Sequence, residues 1–258
     1  MPQPSITIPF VFETLSFPPP LLYHKPFYST IFLLCWKGQF WKGETFYRMN
    51  HIKIYQQSSV PYQNTELVLE GPVPPEQLRR YTMHPDLDAF RRPKEQFEAL
   101  VEIAGLPEGR IILARHEEVI VGYVTFHYPD ELERWSEGGM LDLIELGAIE
   151  VANAYRGLGL GKKLIRLAFE DGQLENVITF TTEYYWHWDL ESSGLTVWQY
   201  RDMMEKLMKS VDMVWFATDD PEICSHPANC LMVRIGKNVP LSSVELFDRV
   251  RFRQRFMY

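Results

Sequence analysis

Val151-Ala152-Asn153-Ala154-Tyr155-Arg156-Gly157-Leu158-Gly159-Leu160-Gly161-Lys162 joins an apolar run, Leu141 to Ile149, to a helix-forming stretch. Glycines at 157, 159 and 161 let the backbone turn tightly enough to aim consecutive N–H groups at one anion. Lys162 to Phe169 then carries apolar residues at 164, 165, 167, 168 and 169, a helical pattern whose N-terminal dipole adds to the attraction. A diphosphate is the guest that fits such a joint. Two familiar diphosphate loops fail on spacing. A P-loop needs Gly-x-x-x-x-Gly-Lys and then Ser or Thr, but Gly157 to Gly161 is one residue short and Lys163 stands where the hydroxyl belongs. The dinucleotide fingerprint needs Gly-x-Gly-x-x-Gly, and here the third glycine comes one residue early, with no clear βαβ unit around it.

What remains is Arg156-x-x-Gly159-x-Gly161, with Val151 five residues before the arginine. This pattern resembles the acyl-CoA diphosphate loop of the GNAT N-acetyltransferases. Other blocks narrow the likeness: Phe90-Arg91-Arg92-Pro93, Ala104-Gly105-Leu106-Pro107-Glu108-Gly109-Arg110, Leu132-Glu133-Arg134-Trp135-Ser136-Glu137-Gly138, Thr182-Glu183-Tyr184-Tyr185-Trp186-His187-Trp188-Asp189 and Ser225-His226-Pro227-Ala228-Asn229-Cys230-Leu231. Through them residues 66 to 258 closely resemble the AcuA family of acetoin utilization proteins. The resemblance implies an α/β (α+β) fold of the GNAT type, a mixed central sheet flanked by helices with a parallel strand pair that splays to admit the pantetheine arm. It implies acetyl-CoA as co-substrate and a protein lysine acetyltransferase that switches off acetyl-CoA synthetase. The cofactor-binding residues it points to are Val151, Arg156, Gly157, Leu158, Gly159, Leu160, Gly161 and Lys162, with Asn229 beside them.

Acetyl transfer to an amine also needs a proton acceptor, a stabilised oxyanion and a proton for the leaving thiolate. A carboxylate in an apolar strand is costly unless it is paired, exposed or functional. Glu145 and Glu150 both lie in the run before the loop, on opposite faces if the strand is regular. Glu145 is the first candidate base and Glu183 the second. The resemblance also implies a thiolate-protonating tyrosine, which many members of the GNAT superfamily carry in the helix after the second parallel strand. With Met213 to Thr218 read as that strand and Pro227 to Ile235 as that helix, the tyrosine position holds Val233 or Gly236. Tyr184, Tyr185 or solvent would then supply the proton. Glu183, His187 and Asp189 lie among Tyr184, Tyr185, Trp186 and Trp188, which either frame the entrance for a substrate lysine or pack as core.

The chain has 258 residues, 46% hydrophobic and 14% aromatic, enough for one good-sized core. A net charge of −8 argues against a general nucleic-acid binder. Three cysteines are too few and too unevenly placed for a disulfide framework, which fits a reducing cytoplasm. Cys224, His226 and Cys230 lack a fourth ligand for a metal site, and no apolar run approaches a membrane span. The alternatives that stay open are a small-amine acetyltransferase and a non-catalytic acyl-CoA-sensing module.

Residues 1–48 hold seven prolines and twelve Phe, Trp or Tyr residues against two acidic ones, without periodicity. They read as an extension that is disordered or absent from the native protein. Lys42-Gly43-Glu44 can be encoded as a ribosome-binding sequence a few codons before Met49, so translation is expected to start there. Residues 49–258, the expected acetyltransferase domain, carry 22 basic and 32 acidic side chains. Along them the pattern predicts a first strand over Glu66 to Glu70, a helix from Pro75 to Tyr81, and a helix from Pro93 to Ala104 stopped by Gly105. A hairpin over Arg110–His116 and Val119–Tyr128 follows, then the long strand Leu141 to Val151. Asn176 to Ser210 reads as a mainly helical insertion, although 177 to 182 has strand composition. Helix Val197 to Met208 lies within it, and Val244 to Phe256 closes the chain as an amphipathic element.

Overall fold

A computed structural model describes residues 49–253; the expectations for residues 1–48 lie outside the described residues. Strands Gln56–Tyr62 (β1) and Thr65–Gly71 (β2) form a hairpin, followed by helix Pro75–Leu78 (α1), strand Thr82–Met83 (β3) and helix Pro93–Gly105 (α2). Next come Arg110–His116 (β4), Val119–His127 (β5), Leu143–Val151 (β6) and helix Leu160–Glu170 (α3). Ile178–Glu183 (β7) leads into the short helix Leu190–Ser193 (α4) and the long helix Val197–Lys209 (α5). Val214–Phe216 (β8), Pro221–Cys224 (α6), Cys230–Ile235 (β9) and Leu241–Arg251 (α7) complete the order.

The strands make one mixed sheet in the order β1-β2-β4-β5-β6-β7-β9-β8, with β3 added beside β5. Along that order every pair is antiparallel except β6–β7. One face carries α3, whose Leu160, Leu164, Ile165, Leu167 and Ala168 are buried with Val124, Leu146 and Met232. The other face is buried under two clusters. Leu78, Leu100 and Tyr123 belong to the first, and Trp135, Phe180 and Phe247 to the second.

Two helices show why the local sequence folds as it does. Pro93 opens α2 at a position where its missing N–H costs nothing. Thr196 caps α5 through Gln199 in a reciprocal box.

The structure corrects four expectations, three of them in the second half of the chain. The parallel partner of β6 is β7, within the segment read as mainly helical, and not Met213 to Thr218. That later stretch forms the edge strand β8, antiparallel to β9, with Val214 and Trp215 about half exposed. Pro227 to Ile235 is not a helix: its apolar run is β9, which sends Cys230 and Met232 to one core and Leu231 and Val233 to another. A strand buried on both faces loses the alternation that identifies strands. Finally, β1 precedes the expected first strand; Gln56-Gln57-Ser58-Ser59 is a polar edge without an apolar signal.

Candidate active site

The parallel ladder between β6 and β7 is short. It joins Leu143 to Ile178, Ile144 to Thr179 and Glu145 to Phe180, and then the strands part. Beyond that point β6 pairs with β5 as far as Val151, while Thr181–Glu183 of β7 pair with β9. The opening lies at the end of β6 that leads into the glycine loop. Backbone groups of Leu146 to Val151 on the β7 side are thus placed to meet an extended guest.

The loop has the conformation the glycines predict. Gly157 has φ 83° and Gly159 φ 68°, left-handed values that a side chain resists, and a Cβ on either would meet nothing within 4 Å. Gly159 is the N-cap of α3, so no side chain caps the first N–H groups of that helix. Lys162 and Lys163 follow in its opening residues, where cations oppose the helix dipole. An uncapped, lysine-bearing helix start suits an anion. The eight loop residues play different parts. Leu160 is buried and Leu158 packs against the core, so only their backbones can face a ligand. Gly161 turns its Cβ position towards Ile149 and Leu207, at 3.7 and 3.9 Å, which makes it the contact between α3, β6 and α5. The Arg156 guanidinium is engaged: Nη1 donates to Asp189 Oδ2 at 2.7 Å and to Ser192 Oγ at 3.1 Å, and Nε to the Val151 carbonyl at 3.3 Å. Lys162 is exposed on the first turn.

Strand β6 departs from a regular strand at one residue. Thr125 pairs with Ala148 and Phe126 with Leu146, which leaves Gly147 as a bulge. The extra residue changes the facing of everything before it. Glu150 lies opposite Tyr123 and Glu145 opposite His127, and those two β5 residues share a face, so both carboxylates point to the side that carries α2. The regular-strand expectation of opposite faces is therefore wrong. Glu150 is buried and braced, accepting from Tyr123 Oη at 2.5 Å and from the Ala89 N–H at 2.8 Å. Burial raises its pKa, and both hydrogen bonds oppose the rise. Glu145 is half-buried at the last rung of the parallel ladder, and its cross-strand neighbour His127 gives no local sequence signal.

Glu183 ends β7 on the α3 side. Burial pushes its carboxyl up to about 7, opposed by the Trp188 indole N–H, which donates to Oε2 at 3.0 Å. Trp188 in turn stacks on Tyr200, with ring centroids 5.2 Å apart. Tyr200 sits on α5, the first long helix after the second parallel strand. The expectation that this helix lacks a tyrosine, based on Val233 and Gly236, is corrected by the true order of elements. Burial raises the Tyr200 pKa, so the phenol keeps its proton at neutral pH.

The aromatic block divides. Trp186 is 43% exposed and stacks on Tyr184, which packs against the Phe180 and Phe247 cluster; burial raises the Tyr184 pKa as well. Asn229 is buried and spent on the protein: its Oδ1 accepts from the Tyr185 N–H at 3.0 Å and its Nδ2 donates to the Glu222 carbonyl at 3.1 Å. Its side chain braces the turn at Tyr185–His187, so any cofactor contact of the kind expected of it would share an amide already bonded within the protein. His226 lies against Tyr185 at 4.2 Å, Cys230 is buried and Cys224 exposed. Among the described residues no group of three or more His, Cys, Asp or Glu is placed to hold a metal, and no helix is long and apolar enough to cross a membrane.

The family profile described as Acetyltransferase (GNAT) family matches residues 76–186, from α1 through the loop to the aromatic block. The chain is 61% identical over 210 residues to the acetoin utilization protein AcuA of Bacillus subtilis, covering 81% of this chain and all of that protein. It is 58% identical over the same shares to AcuA of Bacillus licheniformis. The crystal structure of an acetoin utilization protein from Exiguobacterium sibiricum superposes with a TM-score of 0.78 at 54% identity, covering 80% of this chain and 98% of that one. Likeness at this level, over the whole length of the relatives and on one fold, shows that the chain belongs to the AcuA family of acetoin utilization proteins, GNAT acetyltransferases that depend on acetyl-CoA.

Proposed function

We propose that this enzyme moves the acetyl group of acetyl-CoA to a lysine of acetyl-CoA synthetase in the cytoplasm and so inactivates it. The observation that carries the reading is the parting of β6 and β7 after Glu145 and Phe180, beside the uncapped start of α3. The backbone of Arg156 to Gly161 holds the diphosphate, with Lys162 adding charge. The pantetheine arm runs along β6 from Val151, and the thioester lies near the bulge. Tyr200 gives its proton to the CoA thiolate, held in place by its stack on Trp188. Residues 49–258 are the acetyltransferase domain, and 184–195, between β7 and α5, shape the protein-substrate side.

Incubation with acetyl-CoA and purified acetyl-CoA synthetase, followed by mass spectrometry, tests the reading. Acetyl-lysine on the synthetase supports it. Turnover of small amines alone makes the enzyme a small-molecule acetyltransferase, and cofactor binding without either product makes it a sensor. Trp186 offers a sharper probe, because an exposed indole attracts a lysine head and stem. Trp186→Ala is expected to lower acetylation of the synthetase about tenfold, a loss of about 1.4 kcal/mol, with acetyl-CoA affinity unchanged. Calorimetric titration beside the acetylation assay checks it. Loss of cofactor affinity in step with activity and melting temperature would make the ring packing rather than entrance.

A further inference from the structure

His127 ends β5 beside the bulge in β6. Its Nδ1 lies 2.7 Å from the Tyr128 carbonyl oxygen. A carbonyl can only accept, so Nδ1 carries the hydrogen and Nε2 of the neutral ring is the acceptor nitrogen. A Cβ on Gly147 would stand 2.4 Å from Nε2 and 3.2 Å from Thr125 Oγ1. Only a glycine fits under the ring. Gly147 is itself exposed, so the half-buried ring has its Nε2 beside a bare, solvent-facing Cα, two residues past the last rung of the β6–β7 ladder.

The groups around the ring favour a neutral imidazole that can become cationic. Burial lowers its pKa, the Tyr128 carbonyl, Glu108 and Asp130 raise it, and Arg91 of the loop before α2 lowers it. Glu145 faces it from β6. A ring neutral at pH 7 is ready to take a proton, and the facing carboxylate stabilises the imidazolium that results.

We propose that His127 is the general base of the acetyl transfer, accepting at Nε2 the proton that the attacking amine loses. This rests on the reading above only in placing the thioester at the bulge. The neutral amine adds to the thioester carbon, forming the C–N bond, and its nitrogen becomes cationic and acidic. That proton passes to Nε2. The tetrahedral intermediate then collapses, the C–S bond breaks, and the thiolate takes a proton from Tyr200 or water. The imidazolium returns its proton to solvent and the Tyr200 phenolate takes one back from solvent, so the cycle consumes only amine and acetyl-CoA. Glu145 acts through His127 and is a positioning residue.

The test follows amine acetylation by the full chain between about pH 5 and pH 9, with acetyl-CoA affinity measured alongside. His127→Gln is expected to cost about 10²- to 10³-fold in kcat and to abolish the fall in rate at low pH, with cofactor affinity unchanged. Millimolar imidazole is expected to restore part of the turnover of His127→Ala, and Glu145→Gln to cost about tenfold with the low-pH limb kept. Turnover of His127→Gln within about threefold of the wild type overturns the assignment. So does a large loss in Glu145→Gln when His127→Gln is near normal, which gives the base to Glu145. If the variants bind acetyl-CoA poorly, nitrogen NMR of the wild-type ring decides. A bare Nε2 at pH 7 supports the proposal and a protonated one at that pH overturns it. A wild type that acetylates a small amine but not the synthetase removes the synthetase reading, and the same variants are then tested on that amine.

Discussion

Gly159→Asp is expected to raise the dissociation constant for acetyl-CoA by about 10²- to 10³-fold while the fold survives. Gly159 has φ 68° and caps α3, with open space where a Cβ would go. Aspartate is among the residues that tolerate this conformation, at a cost of about 1 kcal/mol. Its carboxylate would accept from the first N–H groups of the helix, the donors the diphosphate needs. A like charge beside the diphosphate costs several kcal/mol more, and each 1.4 kcal/mol is about tenfold in affinity. Calorimetric titration measures this directly, with thermal melting as the control. A folded variant of unchanged affinity would make the loop structural only. Gly161→Asp is a different experiment, because its side chain would enter between Ile149 and Leu207 and strain the packing of α3.

Glu183→Gln is expected to stabilise the protein by about 3 kcal/mol at pH 8 and by less than about 1 kcal/mol at pH 5. Burial raises the folded carboxyl from its ordinary 4.5 to about 7. A raised carboxyl is destabilising once it ionises: nothing is lost below about 4.5, and stability falls as pH rises from there through about 7. Glutamine keeps an acceptor for the Trp188 indole and has no charge to bury. Denaturant unfolding at the two pH values checks the difference. Equal effects at both would mean that the carboxyl ionises as if exposed. Acetylation by the same variant shows whether Glu183 also moves protons: a 10²-fold loss alongside the gain in stability would make it a functional acid or base retained at a cost.

The legible parts of the chain were those with local causes. The glycine loop declares itself because left-handed backbone at 157 and 159 admits little else. The β4–β5 hairpin and α2 show in alternation, in Pro93 and in Gly105. The second half was misread because β7 and β9 are buried on both faces and lack a period to count. That error moved the second parallel strand by some thirty-five residues and hid Tyr200 on the first long helix after it. His127 could not be found either. A single imidazole in a strand carries no pattern, and its meaning depends on a bulge that in sequence is one glycine in an apolar run.

That bulge acts as a parity element. Counting from Val151, residues before Gly147 take the face they would lose if the strand were one residue shorter. Deleting Gly147 leaves composition and hydropathy almost untouched but inverts the strand from Leu143 to Leu146. Ile144 and Leu146 leave the core under α3, and Glu145 turns into it. Substitution at this position perturbs a neighbour, whereas deletion exchanges inside for outside, so sequence length between the β5 turn and the glycine loop is itself a specification of the fold.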